Sequence, residues 1–136
     1  MTIVVDHALV IANLKARYCL AADTAASDAE AARALFADLF TEDFFGDYGF
    51  APMHGPQAIT DFMCKAIATG STWMIHMLHS PNILVDGEHA AGNWTVLAHS
   101  RRREGDIMVT LGRYTDEFRL TPQGWRISKI TFWRPE

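Results

Sequence analysis

The chain has 136 residues, of which 49% are apolar and 21% are charged, and its formal net charge is −4. This length fits one domain, residues 1–136, with one sizeable core. The acidic balance argues against binding to a nucleic-acid backbone, which needs a basic excess on one face, and no stretch approaches the ~20 apolar residues of a membrane span.

Three helices are predicted in the first half of the chain. Apolar residues recur at helical spacing after Asp6, which is the expected N-cap of the first helix. Ser27 and Glu30 have the spacing of a capping box, which places the start of the second helix. Pro56 opens the third helix, because its missing N–H is not needed in a first turn, and Gly70 is expected to end it.

The two cysteines, Cys19 and Cys64, both fall inside predicted helices, and Cys64, beside the apolar run Phe62-Met63, is expected to be a small buried thiol. A disulfide framework needs more cysteines and an export context. The apolar run within residues 1–10 is too short for a signal peptide. We therefore expect a cytoplasmic protein with reduced thiols.

The second half of the chain is predicted to form strands. A short aromatic strand comes first, between the second and third helices, and Ser80-Pro81 is expected to interrupt the next stretch. Short turns join the three long strands that follow into an antiparallel meander. The predicted strands cover residues 43–49, 72–78, 82–85, 89–101, 107–120 and 125–134. Helices followed by a meander predict an α+β fold with the helices against one face of the sheet.

Alternation along the predicted strand at residues 72–78 sorts its histidines. His76 shares a face with Met74 and Leu78, whereas His79 falls on the opposite face if the strand continues that far. The two histidines therefore cannot converge on one metal ion. Since the sequence shows no closed ligand set, we predict no metal site.

On the next long strand, His99 shares a face with Asn93, Thr95 and Leu97. This row mixes polar and apolar side chains. Such a row suits the wall of a pocket, and it suits a solvated face equally well. The sequence alone leaves both interpretations of His99 open.

Tyr18 and Asp23 are the candidate polar residues of the first helix. Five residues of an α-helix turn through about 500°, which leaves these two side chains about 140° apart. They meet at one spot only if the helix ends or bends between them, and the small residues at 21–25 make an ending plausible there. Asp23 would then lie near the negative end of the helix dipole, where a hydrogen bond from a histidine would stabilise it.

Taken in order, these features resemble the SnoaL-like branch of the nuclear-transport-factor-2-like (NTF2-like) superfamily. Each motif is weak alone, but their order and spacing cover most of the chain. The segments that carry the resemblance are Tyr18-x-x-x-x-Asp23, Leu39-Phe40-Thr41-Glu42-Asp43, Gly55-x-x-Ala58-Ile59, His76, Ile83-x-Val85-Asp86-Gly87-Glu88-x-Ala90, Gly112-Arg113-Tyr114-x-Asp116-x-Phe118 and Gly124-Trp125-Arg126-Ile127. The resemblance implies a cone in which three N-terminal helices pack on a curved, mostly antiparallel sheet that encloses a pocket.

Within the superfamily the candidate site is most similar to those of the eliminating enzymes. Bile-acid 7α-dehydratase has a tyrosine and an aspartate five residues apart, followed by a strand histidine, and Tyr18, Asp23 and His76 occupy the matching positions. Hexachlorocyclohexane dehydrochlorinase is similar in its Asp–His pair but has a lysine where Tyr18 stands. Scytalone dehydratase has a second histidine on the long strand, for which His99 is the nearest candidate.

The resemblance implies a cofactor-independent acid–base enzyme, in particular a dehydratase-type lyase that acts on a small hydrophobic alcohol or carbonyl compound. His76 would be the base, Asp23 would orient it, Tyr18 would donate a hydrogen bond, and His99 would assist the leaving group. The partners implied are a small substrate and a second copy of the chain, as a homodimer or higher homo-oligomer.

Three alternatives stay open at this point. One is a cyclase or isomerase of the same fold. Another is a protein that binds a hydrophobic ligand without turning it over, and a third is a module that pairs with another subunit. His76 also has a purely structural interpretation, as a core histidine bonded to a backbone carbonyl.

Overall fold

The computed structural model describes residues 3–136 and shows an α+β fold, as predicted. Its elements, in chain order, are α1 (His7–Ala25), α2 (Ala29–Phe36), β1 (Phe40–Asp47), β2 (Met53–His54), α3 (Pro56–Gly70), β3 (Ser71–Asp86), β4 (His89–Arg102), β5 (Ile107–Thr121) and β6 (Gly124–Trp133). The three helices pack on a curved, open sheet of six strands in the order β2-β1-β6-β5-β4-β3. All neighbouring strands are antiparallel except β1 and β6, which are parallel.

The helix starts follow the predicted chemistry with one correction. The Asp6 carboxylate accepts a hydrogen bond from the Leu9 N–H at 3.1 Å, as expected of an N-cap. The second helix is capped by Asp28 rather than by Ser27, because Asp28 is the extended residue and its carboxylate accepts from the Ala31 N–H at 3.0 Å. The capping box predicted at Ser27 was therefore wrong by one residue.

The sheet also corrects the predicted interruption at Ser80-Pro81. β3 is one continuous element, and a β-bulge between His79 and Asn82 absorbs the irregularity. Ser80 has a φ of 52°, a left-handed conformation that suits the bulge. The long β3 therefore pairs with almost the whole of β4, and this pairing fixes which β3 side chains face the helices.

The core lies between the helices and the inner face of the sheet. The inner row of β4 contains Trp94, Val96 and Ala98, all of them buried, and α1 contributes Ile11 and Leu14. Cys64 is a buried free thiol, as predicted, and Cys19 is buried and free as well. The apolar faces predicted for the helices thus pack against the inner face of the sheet and form the core.

Candidate active site

Helix α1 and strand β3 bring Asp23 and His76 together across 53 residues of sequence. The Asp23 Oδ1 atom lies 2.6 Å from the His76 Nδ1 atom. The same carboxylate accepts from the His76 backbone N–H, at 3.1 Å to Oδ1 and 3.2 Å to Oδ2. The carboxylate therefore holds both the ring and the main chain of one residue, which restricts the rotation of the imidazole.

The hydrogen bond between Asp23 and His76 selects the tautomer of the ring. A carboxylate only accepts, so the neutral imidazole carries its proton on Nδ1 and leaves Nε2 with a free lone pair. The side chain of His76 is 11% exposed and that of Asp23 is 20% exposed. In this partly desolvated setting Asp23 would also stabilise the imidazolium that forms when Nε2 takes up a proton.

The structure keeps Tyr18 away from this pair. Helix α1 ends at Ala25, within the small residues 21–25 where an end was expected, but it does not end between Tyr18 and Asp23. The two side chains therefore keep their helical separation of about 140°. Asp23 reaches β3, whereas Tyr18 is fully buried and reaches the hydroxyl of Tyr48, 2.5 Å from its own.

All three tyrosines of the chain meet in one cluster formed by Tyr18, Tyr48 and Tyr114. The rings of Tyr18 and Tyr114 are edge-to-face at 6.0 Å. Burial, as the largest cause, raises the pKa of each of the three phenols well above its ordinary value. The phenols therefore stay protonated at neutral pH and are available as hydrogen-bond donors.

A cavity of about 160 Å³ lies between α3 and the inner face of the sheet. Its lining residues are Tyr48, Met63, Ile67, Met74, His76, Val96, Ala98, Thr110, Tyr114 and Phe132. The wall is mostly apolar, with His76 on the edge strand β3 and Tyr48 just after β1, the second strand from the other edge. Such an apolar site with few polar groups strengthens the hydrogen bonds made inside it.

Tyr48 and Tyr114 were not identified from the sequence, and they replace Tyr18 as the hydroxyl groups on the cavity wall. Tyr18 lies behind Tyr48 and holds its hydroxyl by the short contact. The expectation that Tyr18 itself would touch a substrate is therefore not supported by its position. The one available signal was that the chain has only three tyrosines, but nothing in their spacing indicates that they meet.

His99 lies outside the candidate site. It pairs with Ile75 on β3 and with Val109 on β5, so these three side chains share the outer face of the sheet. His76 pairs instead with Ala98, whose side chain is on the inner face. Of the two interpretations of the row that contains His99, the structure supports the outer sheet face rather than the pocket wall. A role for His99 at the leaving group therefore has no geometric support.

A buried ion pair, also missed from the sequence, lies behind the tyrosine cluster. Lys15 on α1 and Asp116 on β5 are both 0% exposed, and Nζ is 2.8 Å from Oδ2. Nζ also lies 3.5 Å from the ring centroid of Tyr114 and 4.2 Å from that of Tyr18. Burial raises the pKa of Asp116 to about 6, against the lowering effect of Lys15.

A larger cleft, of about 460 Å³, is lined by surface residues that include Asp43, Arg119 and Arg126. Arg119 is already paired there with Asp43 at 3.1 Å. The cleft contains no histidine and no tyrosine. The smaller cavity is therefore the candidate active site, because it holds the oriented imidazole and the neutral phenols.

The comparisons with known proteins agree with this architecture. A family model described as "SnoaL-like domain" matches residues 5–131, and the chain belongs to that family. No curated protein matches the sequence. Within residues 3–136, no helix combines the length and apolar character needed to cross a membrane.

Solved structures show the same fold at low sequence identity. A protein from Novosphingobium aromaticivorans, proposed to be an aromatic ring hydroxylase, is 27% identical over 99% of this chain and 93% of its own, with a TM-score of 0.83. An NTF2-like superfamily protein from Salmonella enterica serovar Typhimurium is 21% identical over 95% and 91%, with a TM-score of 0.84. A second N. aromaticivorans protein, proposed to be a scytalone dehydratase, is 22% identical over 96% and 88%, with a TM-score of 0.79.

Proposed function

We propose that this protein is a cofactor-independent lyase of the dehydratase type, acting on a small, mostly hydrophobic alcohol or carbonyl compound. The observation that carries the proposal is the Asp23–His76 hydrogen bond of 2.6 Å beside a mostly apolar cavity. A fold neighbour proposed to be a scytalone dehydratase supports the reaction class. The same fold hosts other activities, so the site rather than the fold indicates the reaction class.

The proposed reaction is an elimination of water. Nε2 of His76 takes a proton from the carbon next to the one that carries the hydroxyl group, and the electrons of that C–H bond form the new C=C bond. The C–O bond breaks, and the departing hydroxide accepts the proton back from the imidazolium as water. Asp23 stabilises the imidazolium between these steps, and Tyr48 or Tyr114 donates a hydrogen bond to the oxygen that gains charge.

The tautomer of His76 provides a direct test that needs no substrate. In Asp23→Asn, we expect the NH₂ group to take the place of Oδ1 opposite Nδ1 and donate to it, while the amide oxygen takes the place of Oδ2, which is 3.2 Å from the His76 backbone nitrogen. We therefore expect the neutral ring to change from the Nδ1–H to the Nε2–H form. ¹⁵N NMR of the ring nitrogens measures this change, with the His76 signals identified by their loss in His76→Gln.

Asp38→Asn makes the same chemical change at an exposed position away from the cavity, and it should leave the His76 signals as they are. Finding an Nε2–H ring already in the wild type would contradict the proposal, because Nε2 could not then act as the base. The alternative of a binding protein that does no chemistry would gain from that result, since binding needs the cavity but not this tautomer.

Self-association, expected from the resemblance, stays a prediction. The outer sheet face exposes neighbouring apolar side chains that include Ile75, Val109 and Leu111, the last of which is 55% exposed. If a second copy covers this face, Leu111→Glu should convert a sedimenting dimer to a monomer without lowering the melting temperature. Thr115→Glu, on the same strand and face but outside the apolar rows, is the control. A wild-type chain that sediments as a monomer would show the prediction to be wrong.

A further inference from the structure

Phe132 closes the β6 side of the cavity. It belongs to β6 and pairs with Tyr114 on β5, and the two ring centroids are 5.3 Å apart. Its ring is also 6.2 Å from that of Tyr48. Phe132 is therefore the apolar side chain that sits beside both phenols of the cavity wall.

Gly112 makes this position of the Phe132 ring possible. It lies in the inner row of β5, between Thr110 and Tyr114, where any other residue would point a side chain at the cavity. A Cβ atom on Gly112 would lie 2.6 Å and 2.7 Å from two atoms of the Phe132 ring, and it would also clash with the Trp133 carbonyl oxygen. The missing side chain thus lets the ring pack directly on the β5 backbone.

The size of the remaining cavity suits one ring. At about 160 Å³ it is close to the ~150 Å³ apolar cavity that holds benzene in another protein. Deleting the Phe132 side chain beyond Cβ would remove one six-membered ring from its wall. The Phe132 ring therefore occupies the space on the β6 side of the cavity that a second ligand ring would need.

The wall also selects against charge. Among residues 3–136, no lysine, arginine, aspartate or glutamate lines the cavity, and its titratable members are His76, Tyr48 and Tyr114. Transferring an ionised carboxylate into such a wall without a charged partner is strongly unfavourable. A neutral oxygen, in contrast, can accept a hydrogen bond from a phenol.

We propose that Phe132, packed on Gly112, is a specificity-determining residue that limits this site to uncharged ligands with a single six-membered ring and a hydrogen-bonding oxygen. This inference assumes that the cavity of the proposed function is the ligand site. It does not require that His76 perform any chemistry.

The test is a binding comparison on the full chain at pH 7 with three probes: phenol, 2-naphthol and benzoate. Dissociation constants are measured by ligand-observed NMR for the wild type and for Phe132→Ala, and shifts of the His76 ring signals locate the binding. Phe45→Ala is the matched control, because the Phe45 ring packs on His54 and does not line the cavity.

For the wild type we expect phenol to bind, 2-naphthol to bind at least about tenfold more weakly, and benzoate not to bind. Phe132→Ala should improve 2-naphthol binding by about tenfold or more, and Phe45→Ala should not change it. If Phe132→Ala does not fold, Phe132→Leu should give a smaller gain in the same direction.

Each opposite result would overturn the inference. For the wild type, these results are that phenol does not shift the His76 signals, that 2-naphthol binds as tightly as phenol, or that benzoate binds. For a folded Phe132 variant, the contrary result is that 2-naphthol binds no more tightly than to the wild type. The outcome is separate from that of the proposed function. If the chain binds phenol selectively but His76 has the Nε2–H tautomer, the lyase proposal fails and the role of Phe132 stands. If His76 has the Nδ1–H tautomer but binding is not selective, the role of Phe132 fails and the lyase proposal stands.

Discussion

Lys15→Met should destabilise the fold by about 3–5 kcal/mol, because it leaves the fully buried Asp116 carboxylate without its cation. The free energy of unfolding at pH 7–8 measures this, from urea titrations followed by tryptophan fluorescence. Lys65→Met removes a lysine from the exposed face of α3 and should change stability by no more than about 0.5 kcal/mol. An equal effect of the two substitutions would mean that the buried pair does not matter for stability.

The pH dependence of this loss has a definite sign. The pKa of Asp116 is already raised to about 6 in the folded wild type, and removing the cation that lowers it raises it further. A carboxyl group with a raised folded pKa favours folding while it is protonated, and this contribution disappears as the pH rises through the folded pKa. Lys15→Met should therefore be closer to the wild type in stability at pH 5 than at pH 8.

A double substitution separates the loss of the pair from the loss of packing. Lys15→Met with Asp116→Leu replaces both charges by apolar side chains, which often restores or exceeds the original stability. We expect the double variant to be more stable than Lys15→Met alone. A double variant that is less stable than Lys15→Met would indicate that the core needs the polar pair for its packing.

Asp23→Asn should slow proton abstraction at the site by about 10²–10⁴-fold, since it puts the His76 proton on the nitrogen that has to act as the base. The measurement is deuterium incorporation next to the carbonyl group of cyclohexanone in D₂O, followed by ¹H NMR with the enzyme in excess. His76→Gln should slow the exchange by as much. The double variant Asp23→Asn with His76→Gln should slow it little further, because the two side chains act as one unit.

Asp38→Asn is the control for this assay, as it makes the same change at an exposed site outside the cavity. Circular dichroism checks whether each variant keeps its secondary structure. Equal exchange rates in the wild type, Asp23→Asn and His76→Gln would remove the case for a base at His76 and leave the binding alternative in its place.

The parts of the site that sequence reasoning found are those with a regular geometry. Alternation along a strand placed His76 on the same face as Met74, which the structure shows to be the inner face, and the resemblance paired His76 with Asp23. The same alternation separated the His99 row from the row of Trp94 and Val96, but it could not say which of the two faces the helices. That choice depends on how the sheet is covered, which is a property of the tertiary fold.

The parts that were missed depend on contacts between distant segments. Tyr48 follows a short strand, and its contact with Tyr18 spans 30 residues without any periodic signal. The Lys15–Asp116 pair does have a signal in the sequence, because each charge interrupts an apolar row. Lys15 lies between Ile11 and Cys19 at helical spacing, and Asp116 lies between Tyr114 and Phe118 at strand spacing. Long charged side chains usually extend to solvent from such positions, so the signal was ambiguous.

The hydrogen bond from the His76 main chain to Asp23 has a consequence beyond chemistry. β3 is the outermost strand at its end of the sheet, and backbone groups on such a strand can pair with a foreign chain. The carboxylate on α1 occupies one of these donors and so helps to protect the strand from intermolecular pairing. An acidic side chain at the position of Asp23 would thus help to prevent aggregation even in a protein of this fold that has no catalytic activity.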